Sequence, residues 1–339
     1  MSTDPQGLDT RAVADWLAGV SPDAVSGTFE ASLITGGKSN LTYLVTDGDH
    51  EYVVRRPPLG HVLATAHDMS REYRVMAALA PTPVPVPAMV ALCDDVDVIG
   101  APFYVMERVA GTPYSRASQL EPLGPERTRL ISERLVDTLV ELHAVDYRAV
   151  GLGEFGRPDG YIGRQVSRWK KQLAASTSRE LPGMDQLVAH LDAGVPDSGE
   201  GTIVHGDYRL DNALVQDDRI TAVLDWEMST LGDPLSDVAL MLAYQQLAHL
   251  APASAAVVTD APLAPGYLDS EAVLARYAAG SGRDVSDIGY HLALAYFKLA
   301  VILEGIHFRH AQGQTVGGGF DGIGDMIVPL IDAGRAASR

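Results

Sequence analysis

The chain has 339 residues, 46% of them hydrophobic and 21% charged, an ordinary globular composition that excludes disordered and fibrous classes and leaves length for one large domain or two lobes. A formal net charge of −18 argues against nucleic acid or an anionic membrane surface as the main partner, because both select basic patches. The single Cys93 can form no internal disulfide, and no Cys/His spacing resembles a zinc site.

Residues 1–5 lack the basic and apolar regions of a signal peptide, and the apolar run Leu292–Ile306 is interrupted by Lys298 and Glu304. The expectation is a soluble, cytoplasmic protein with no membrane partner. In chain order, Thr10–Gly19 has Val13, Trp16 and Leu17 on one helical face. Leu33-Ile34-Thr35-Gly36-Gly37-Lys38-Ser39-Asn40 then precedes a strand-like Leu41–Val45. Two glycines let backbone amides approach phosphates, and Ser39 or Lys38 adds donors, although an ordinary hairpin turn uses the same glycines.

Glu51–Arg56 reads as a strand stopped by Pro57 and Pro58, with Arg55 and Arg56 on opposite faces. Either arginine could grip a phosphate bidentately; Arg55 is the first choice and Arg56 the fallback. Asp68–Leu79 has an N-cap and helical spacing, and its Glu72 shares a face with Val75, Met76 and Leu79. A carboxylate turned to the apolar side calls for a cation, and Arg55 is the natural partner. The prolines of 81–87 impose an extended connector, followed by a strand pair, Met89–Leu92 and Phe103–Arg108, around the acidic turn Asp94–Asp97.

The rest reads as mainly helical. Ile131, Leu135, Leu139 and Leu142 line one long face that ends near His143. Tyr161–Ser176 carries Arg164, Arg168, Lys170 and Lys171 around Trp169, a basic island that suits an anionic group and equally suits a solvated surface. Ala251–Pro265 reads as a mobile loop near an acceptor, Asp287–His310 as an apolar core helix, and Gly313–Gly324 as a break before a last short helix.

The stretch Ile203–Glu227 alternates short apolar segments with polar ones, as strand, loop, strand, turn, strand. Asp207 and Asn212 are five apart, the spacing of the Asp and Asn in the kinase loop H-R-D-x-x-x-x-N, and Asp225 opens D-W-E where kinases carry D-F-G. Phosphoryl transfer needs a carboxylate to orient the attacking hydroxyl and hard oxygen ligands for Mg²⁺. Asp207 suits the first task, Asn212 and Asp225 the second. Each residue alone could simply cap a turn; the joint spacing carries the reading. Arg209, two residues after Asp207, would place a guanidinium by the transferring phosphoryl group.

His205-Gly206-Asp207-Tyr208-Arg209-Leu210-Asp211-Asn212, Ala222–Glu227 and Leu231–Asp237 together resemble the aminoglycoside phosphotransferase-like small-molecule kinases, from about residue 33 to 313. The resemblance is greatest to the branch whose kinase-like domains are fused, in some proteins, to acyl-CoA dehydrogenases. It implies an α+β, bilobal, protein-kinase-like fold, with a small β-rich N-lobe at 1–107 and a larger, mainly helical C-lobe at 108–339. It further implies ATP and Mg²⁺ as cofactors and a small-molecule hydroxyl as acceptor. By the same resemblance Gly36, Gly37, Ser39, Arg55 and Glu72 would serve the nucleotide, Glu107 would lie in the hinge that binds adenine through its backbone, and Asp237 would brace the His205-Gly206-Asp207 turn. His205 would support that loop rather than act as a base.

For the acceptor, the branch and the basic island of Arg164, Arg168 and Lys171 point to a hydroxyacyl-CoA-like or other anionic metabolite. The alternative is an aminoglycoside, which the net charge favours. The glycine loop lacks the full G-x-G-x-x-G of protein kinases, and Arg55 stands where they carry a Lys that pairs with the phosphates, which also leaves a nucleotide-binding pseudokinase open. No A-P-E segment follows Asp225, which argues against a protein substrate. The oligomeric state is left open.

Overall fold

The computed structural model describes residues 4–34, 40–60, 68–176, 179–196, 199–251, 255, 258–315 and 318–337. It divides into two compact units, Met1–Gly111 with Thr221–Glu227, and Thr112–Ile220 with Met228–Arg339. The division differs from the expected one in two respects: the first break falls at Gly111 rather than 107, and residues 221–227 return to the first unit.

The first unit is built on an antiparallel five-stranded sheet of β1 (Glu30–Leu33), β2 (Leu41–Thr46), β3 (Glu51–Arg56), β4 (Met89–Cys93) and β5 (Phe103–Glu107), in the order β1-β2-β3-β5-β4. Strand alternation decides what each face of β3 meets. Tyr52 and Val54 join a core with Phe103, Val105 and the Val13 and Leu17 side of helix α1 (Thr10–Val20), which Asp9 caps through Ala12 N at 2.9 Å. Val53 and Arg55 point the other way, toward helix α2 (Met69–Leu79). Asp68 caps α2 at Arg71 N, and Met69, Val75, Met76 and Leu79 are buried. The proline-rich connector is not helical, and Pro85 O accepts from Val223 N at 2.8 Å within this unit.

The second unit is mainly helical. Its helices are α3 (Ala117–Leu120), α4 (Pro125–Ala144), α5 (Tyr161–Ser176), α6 (Met184–Ala193), α7 (Leu235–Leu250), α8 (Ser270–Ser281), α9 (Ile288–Ala311) and α10 (Ile327–Ala337). β6 (Thr202–Val204) pairs with β9 (Thr230–Gly232), and β7 (Ala213–Gln216) leads through a hairpin into β8 (Arg219–Val223), whose residues from Thr221 on belong to the first unit. The hairpin turns at Asp217 and Asp218, both with positive φ, the conformation a two-residue turn demands. The boundaries of α5 match the sequence reading residue for residue. The expected acceptor loop 251–265 lies partly outside the described residues, and its described part forms a short 3-10 turn at Ala261–Leu263.

Helix α9 packs against α5, α6, α7 and α10. Lys298 and Glu304 do not interrupt it, and by length and composition alone it is long and apolar enough to cross a membrane. Glu304 is fully buried and ion-paired to Arg179 at 2.9 Å, which removes an otherwise prohibitive buried charge.

Candidate active site

The first unit holds a polar cluster within its apolar surroundings. Arg55 Nη2 donates to Asp225 Oδ1 at 2.5 Å, and its Nε lies 3.4 Å from Glu72 Oε2. Glu72 also accepts from Tyr104 Oη at 3.0 Å and Asn40 Nδ2 at 3.1 Å. Burial pushes the Glu72 carboxyl up to about 7, with Arg55 pulling in the opposite direction. Burial also works against the charge of Arg55, but the acidic groups of Tyr104, Glu72 and Asp225 outweigh it and move its pKa upward. The guanidinium is therefore permanently charged and fixed in position. Arg56, on the opposite face, is tied to Gly7 O at 2.5 Å and Ile99 O at 2.9 Å. Those bonds leave Arg55 as the arginine beside the acidic cluster.

Asp225 adopts a φ of 66°, a left-handed conformation that non-glycine residues avoid and that tends to mark functional turns. Oδ1 is the oxygen that Arg55 holds. Glu107 donates its backbone N–H to Ala88 O at 2.9 Å, and its side chain is exposed. Gly36, Gly37, Lys38 and Ser39 lie outside the described residues.

The second unit carries the His205-Gly206-Asp207 turn at the end of β6. Gly206 has φ +82°, and a Cβ there would sit 2.7 Å from Met228 O, so only glycine fits. Asp237, buried near the start of α7, accepts His205 N at 2.6 Å on Oδ2 and Gly206 N at 2.8 Å on Oδ1. His143 Nε2 lies 3.3 Å from the same Oδ2, and its Nδ1 meets Tyr277 Oη at 2.8 Å. His143 is thus a packed helix end that holds the brace. His205 is fully buried, and its Nδ1 accepts from Asp207 N at 3.2 Å. That bond makes Nδ1 an acceptor and assigns the ring a supporting part.

Asp207 Oδ1 accepts from Tyr244 Oη at 2.6 Å, and Oδ2 accepts from Asn212 Nδ2 at 3.1 Å. Asn212 Nδ2 also donates to Asp207 O at 2.9 Å, which orients the amide so that its oxygen remains for another ligand. Arg209 Nε stands 3.5 Å from Asp207 Oδ2 and 3.3 Å from Asp211 Oδ1, with its guanidinium over the Tyr244 ring. Burial opposes ionisation of Asp207, but the Arg209 and Lys298 cations and the Tyr244 bond outweigh it and hold the carboxyl below its ordinary range.

On α5 the basic residues have different fates. Arg164 donates to the backbone oxygens of Asp159 and Arg157, and Lys170 pairs with Asp192 at 2.5 Å. Arg168 and Lys171 are exposed, and with Arg164, Ser167 and Gln172 they line an open depression of about 520 Å³. Arg168 also packs over Trp169, whose ring lies 5.6 Å from the ammonium of Lys298.

Tyr244, Lys298, Asn40 and Tyr104 escaped the sequence reading. Lys298 left one signal, a cation inside an apolar helix. Tyr244 left none, because a hydroxyl in an apolar helix is an ordinary amphipathic side chain. No cluster of three or more His, Cys, Asp or Glu side chains that could hold a metal occurs among the described residues.

Comparison with solved structures places the fold. A crystal structure from Ralstonia eutropha, described as a candidate aminoglycoside phosphotransferase, is 34% identical with a TM-score of 0.84, covering 97% of this chain and 98% of its own. A choline kinase from Cryptosporidium parvum superposes with a TM-score of 0.65 at 12% identity, covering 97% of this chain and 96% of its own. The fold is therefore the protein-kinase-like α+β fold shared by aminoglycoside phosphotransferases and choline kinase. Residues 30–282 match the profile of the phosphotransferase enzyme family, and the chain belongs to that family. Among curated relatives, acyl-CoA dehydrogenase family member 10 of mouse is 36% identical over 317 residues, 90% of this chain and 29% of the relative. Family member 11 of chicken is 35% identical over 346 residues, 98% of this chain and 43% of the relative. The chain thus spans less than half the length of these relatives.

Proposed function

We propose that this protein is a Mg²⁺- and ATP-dependent phosphotransferase acting on a hydroxyl of a small anionic metabolite, with a hydroxyacyl-CoA as the leading acceptor. The observation that carries the reading is Asp207: it is held ionised, hydrogen-bonded by Tyr244 and Asn212, on a turn that four backbone and side-chain bonds fix. Such a carboxylate orients an acceptor hydroxyl and takes its proton as the oxygen attacks the terminal phosphoryl group. Arg209 beside it offsets the charge that develops on the phosphoryl oxygens.

By their kinase-like sequence spacing, Asn212 of the second unit and Asp225 of the first would supply an amide oxygen and a carboxylate oxygen, hard donors of the kind Mg²⁺ accepts alongside nucleotide phosphates, and the metal would neutralise phosphate charge. Arg55, locked by Glu72 and Asp225, is the cation for the nucleotide phosphates, with Gly36, Gly37 and Ser39 as backbone and hydroxyl donors and the Glu107 segment as the adenine hinge. His205 and Asp237 hold the catalytic turn.

The anionic acceptor is favoured by Arg168 and Lys171, exposed cations in a chain of net charge −18, and by the curated relatives, whose names refer to acyl-CoA dehydrogenases. An aminoglycoside acceptor is the second reading, supported by the description of the Ralstonia eutropha structure and by the acidic net charge. The test is mass-spectrometric detection of phosphorylated product after incubation with Mg-ATP and a panel of hydroxyacyl-CoAs, aminoglycosides, choline-like alcohols and sugars. Product from a hydroxyacyl-CoA, with acceptor KM raised by the Arg168→Glu/Lys171→Glu double variant, supports the assignment. Product only from aminoglycosides, or an unmoved KM, refutes it. ATP binding with no product from any acceptor transfers the weight to a pseudokinase.

A further inference from the structure

The catalytic turn is held at one more point, by a residue with no obvious reason to lie where it does. Lys298 is the single lysine of α9 and is surrounded along that helix by buried Leu294, Ala295, Phe297, Val301 and Leu299. Placing an ammonium there costs desolvation unless a specific partner compensates. Its Nζ donates to Gly206 O at 2.8 Å, the Trp169 ring lies 5.6 Å from the ammonium, and the charges of Asp207 and Asp237 work against the burial that lowers its pKa.

Gly206 O belongs to the peptide that joins Gly206 to Asp207. The N–H of that same peptide donates to His205 Nδ1, and the N–H of the preceding peptide donates to Asp237 Oδ1. The amides of the turn on which Asp207 depends are therefore held by Asp237 of α7 and by the His205 ring of the turn itself, and the anchor for the carbonyl is α9. Beside it lies a cavity of about 40 Å³ bordered by Gly206, Ser236, His291 and Lys298. Leu240, Leu294 and Ala295 border it as well, so its lining mixes polar and apolar groups, and among the described residues the buried His291 Nδ1 has no hydrogen-bond partner.

We propose that Lys298 is a positioning residue for phosphoryl transfer: by clamping the Gly206 carbonyl to α9 it fixes the peptide plane that aims the Asp207 carboxylate. It touches neither nucleotide nor acceptor, and it acts through Asp207. The inference rests on the phosphotransferase reading above for its kinetic consequence, but its geometric content is independent of that reading.

Two variants and two readouts test it. Lys298→Met removes donor and charge at similar length; Lys298→Gln keeps a donor and drops the charge. The first readout is an NMR spectrum of protein labelled with carbonyl ¹³C-glycine and ¹⁵N-aspartate, in which only Gly-Asp peptides give cross-peaks. The Gly206–Asp207 peak is identified by its loss in Asp207→Asn. In Lys298→Met that carbonyl signal should shift as expected for a lost charged hydrogen bond, while the other Gly-Asp peaks stay in place; Lys298→Gln should move it less. The second readout is ADP release with Mg-ATP and a hydroxyacyl-CoA. In Lys298→Met kcat should fall about ten- to a hundredfold, the scale of a misplaced catalytic group, with KM for ATP unchanged and partial recovery in Lys298→Gln.

An unmoved Gly206 signal, or an unchanged kcat in a Lys298→Met protein, overturns the proposal. So does a rise in KM for ATP that accounts for the whole loss. If Lys298→Met does not fold, Lys298→Gln carries the NMR test against the wild type, and an unmoved signal there has the same force. A wild type with no turnover counts against the phosphotransferase reading, and the NMR arm still decides the role of Lys298.

Discussion

Asp237→Asn isolates the brace of the catalytic turn. The carboxylate accepts two backbone N–H groups, at 2.6 and 2.8 Å, one on each oxygen, and it is fully enclosed. Asparagine has one acceptor oxygen, so it can satisfy only one of the two amides and turns an NH₂ group toward the other. A hydrogen bond to a charged group contributes about 1.5–3 kcal/mol and a buried unsatisfied donor costs about 1–3 kcal/mol, so the expected loss of stability is about 2.5–6 kcal/mol. Urea unfolding followed by circular dichroism reads it, because the helices lie mainly in the second unit.

The pH dependence supplies a second mark of the same contact. Burial opposes ionisation of Asp237, but the bond and charge of His143 and the His205 contacts outweigh it, so its pKa lies below the ordinary value of 3.8. A carboxyl with a depressed folded pKa contributes stability above its unfolded pKa and loses it as pH falls through the folded value. The difference between wild type and Asp237→Asn should therefore stay constant above about pH 5 and shrink below about pH 4. A difference under about 0.5 kcal/mol at neutral pH, the range of an unimportant surface change, would refute the brace.

Gly206→Ala forces a methyl group to within 2.7 Å of Met228 O at φ +82°, so turnover should be lost and melting temperature lowered; retention of both would show that the turn is free to relax. Arg55→Ala leaves Glu72 and Asp225 without their cation and should destabilise the first unit by about 3–5 kcal/mol, with loss of ATP binding by calorimetry. Wild-type affinity in that variant would remove Arg55 from the nucleotide site. Tyr244→Phe deletes the 2.6 Å bond to Asp207 and should lower kcat about tenfold with KM for ATP unchanged; an equal kcat would mean that the bond is incidental.

The legible parts of the sequence were those in which local chemistry repeats. The spacing of Val13 and Leu17 and the N-cap at Asp68 each reappear as a helix whose buried face is the one the pattern indicates, and Glu51–Arg56 reappears as a strand with Arg55 and Arg56 on opposite sides. The Arg55–Glu72 pair was legible too, because a carboxylate on an apolar helix face demands a cation. Helix α7 was not singled out: Val238 to Ala243 are all buried, and a helix that is apolar all round has no period to read. Tyr244 and Lys298 come to Asp207 from positions 37 and 91 residues away in sequence, and only tertiary packing brings them there. The return of residues 221–227 to the first unit is likewise a property of the fold, and it is what pairs Asp225 with Arg55.

The most direct test of the central claim is a single-turnover measurement of ADP formation in Mg-ATP with the acceptor that gives product, comparing wild type with Asp207→Asn. The account predicts a fall in the transfer rate of about 10²–10⁴-fold, the contribution of a general base, with ATP affinity and melting temperature preserved. A variant that transfers phosphate at the wild-type rate would contradict it and remove Asp207 from the chemistry.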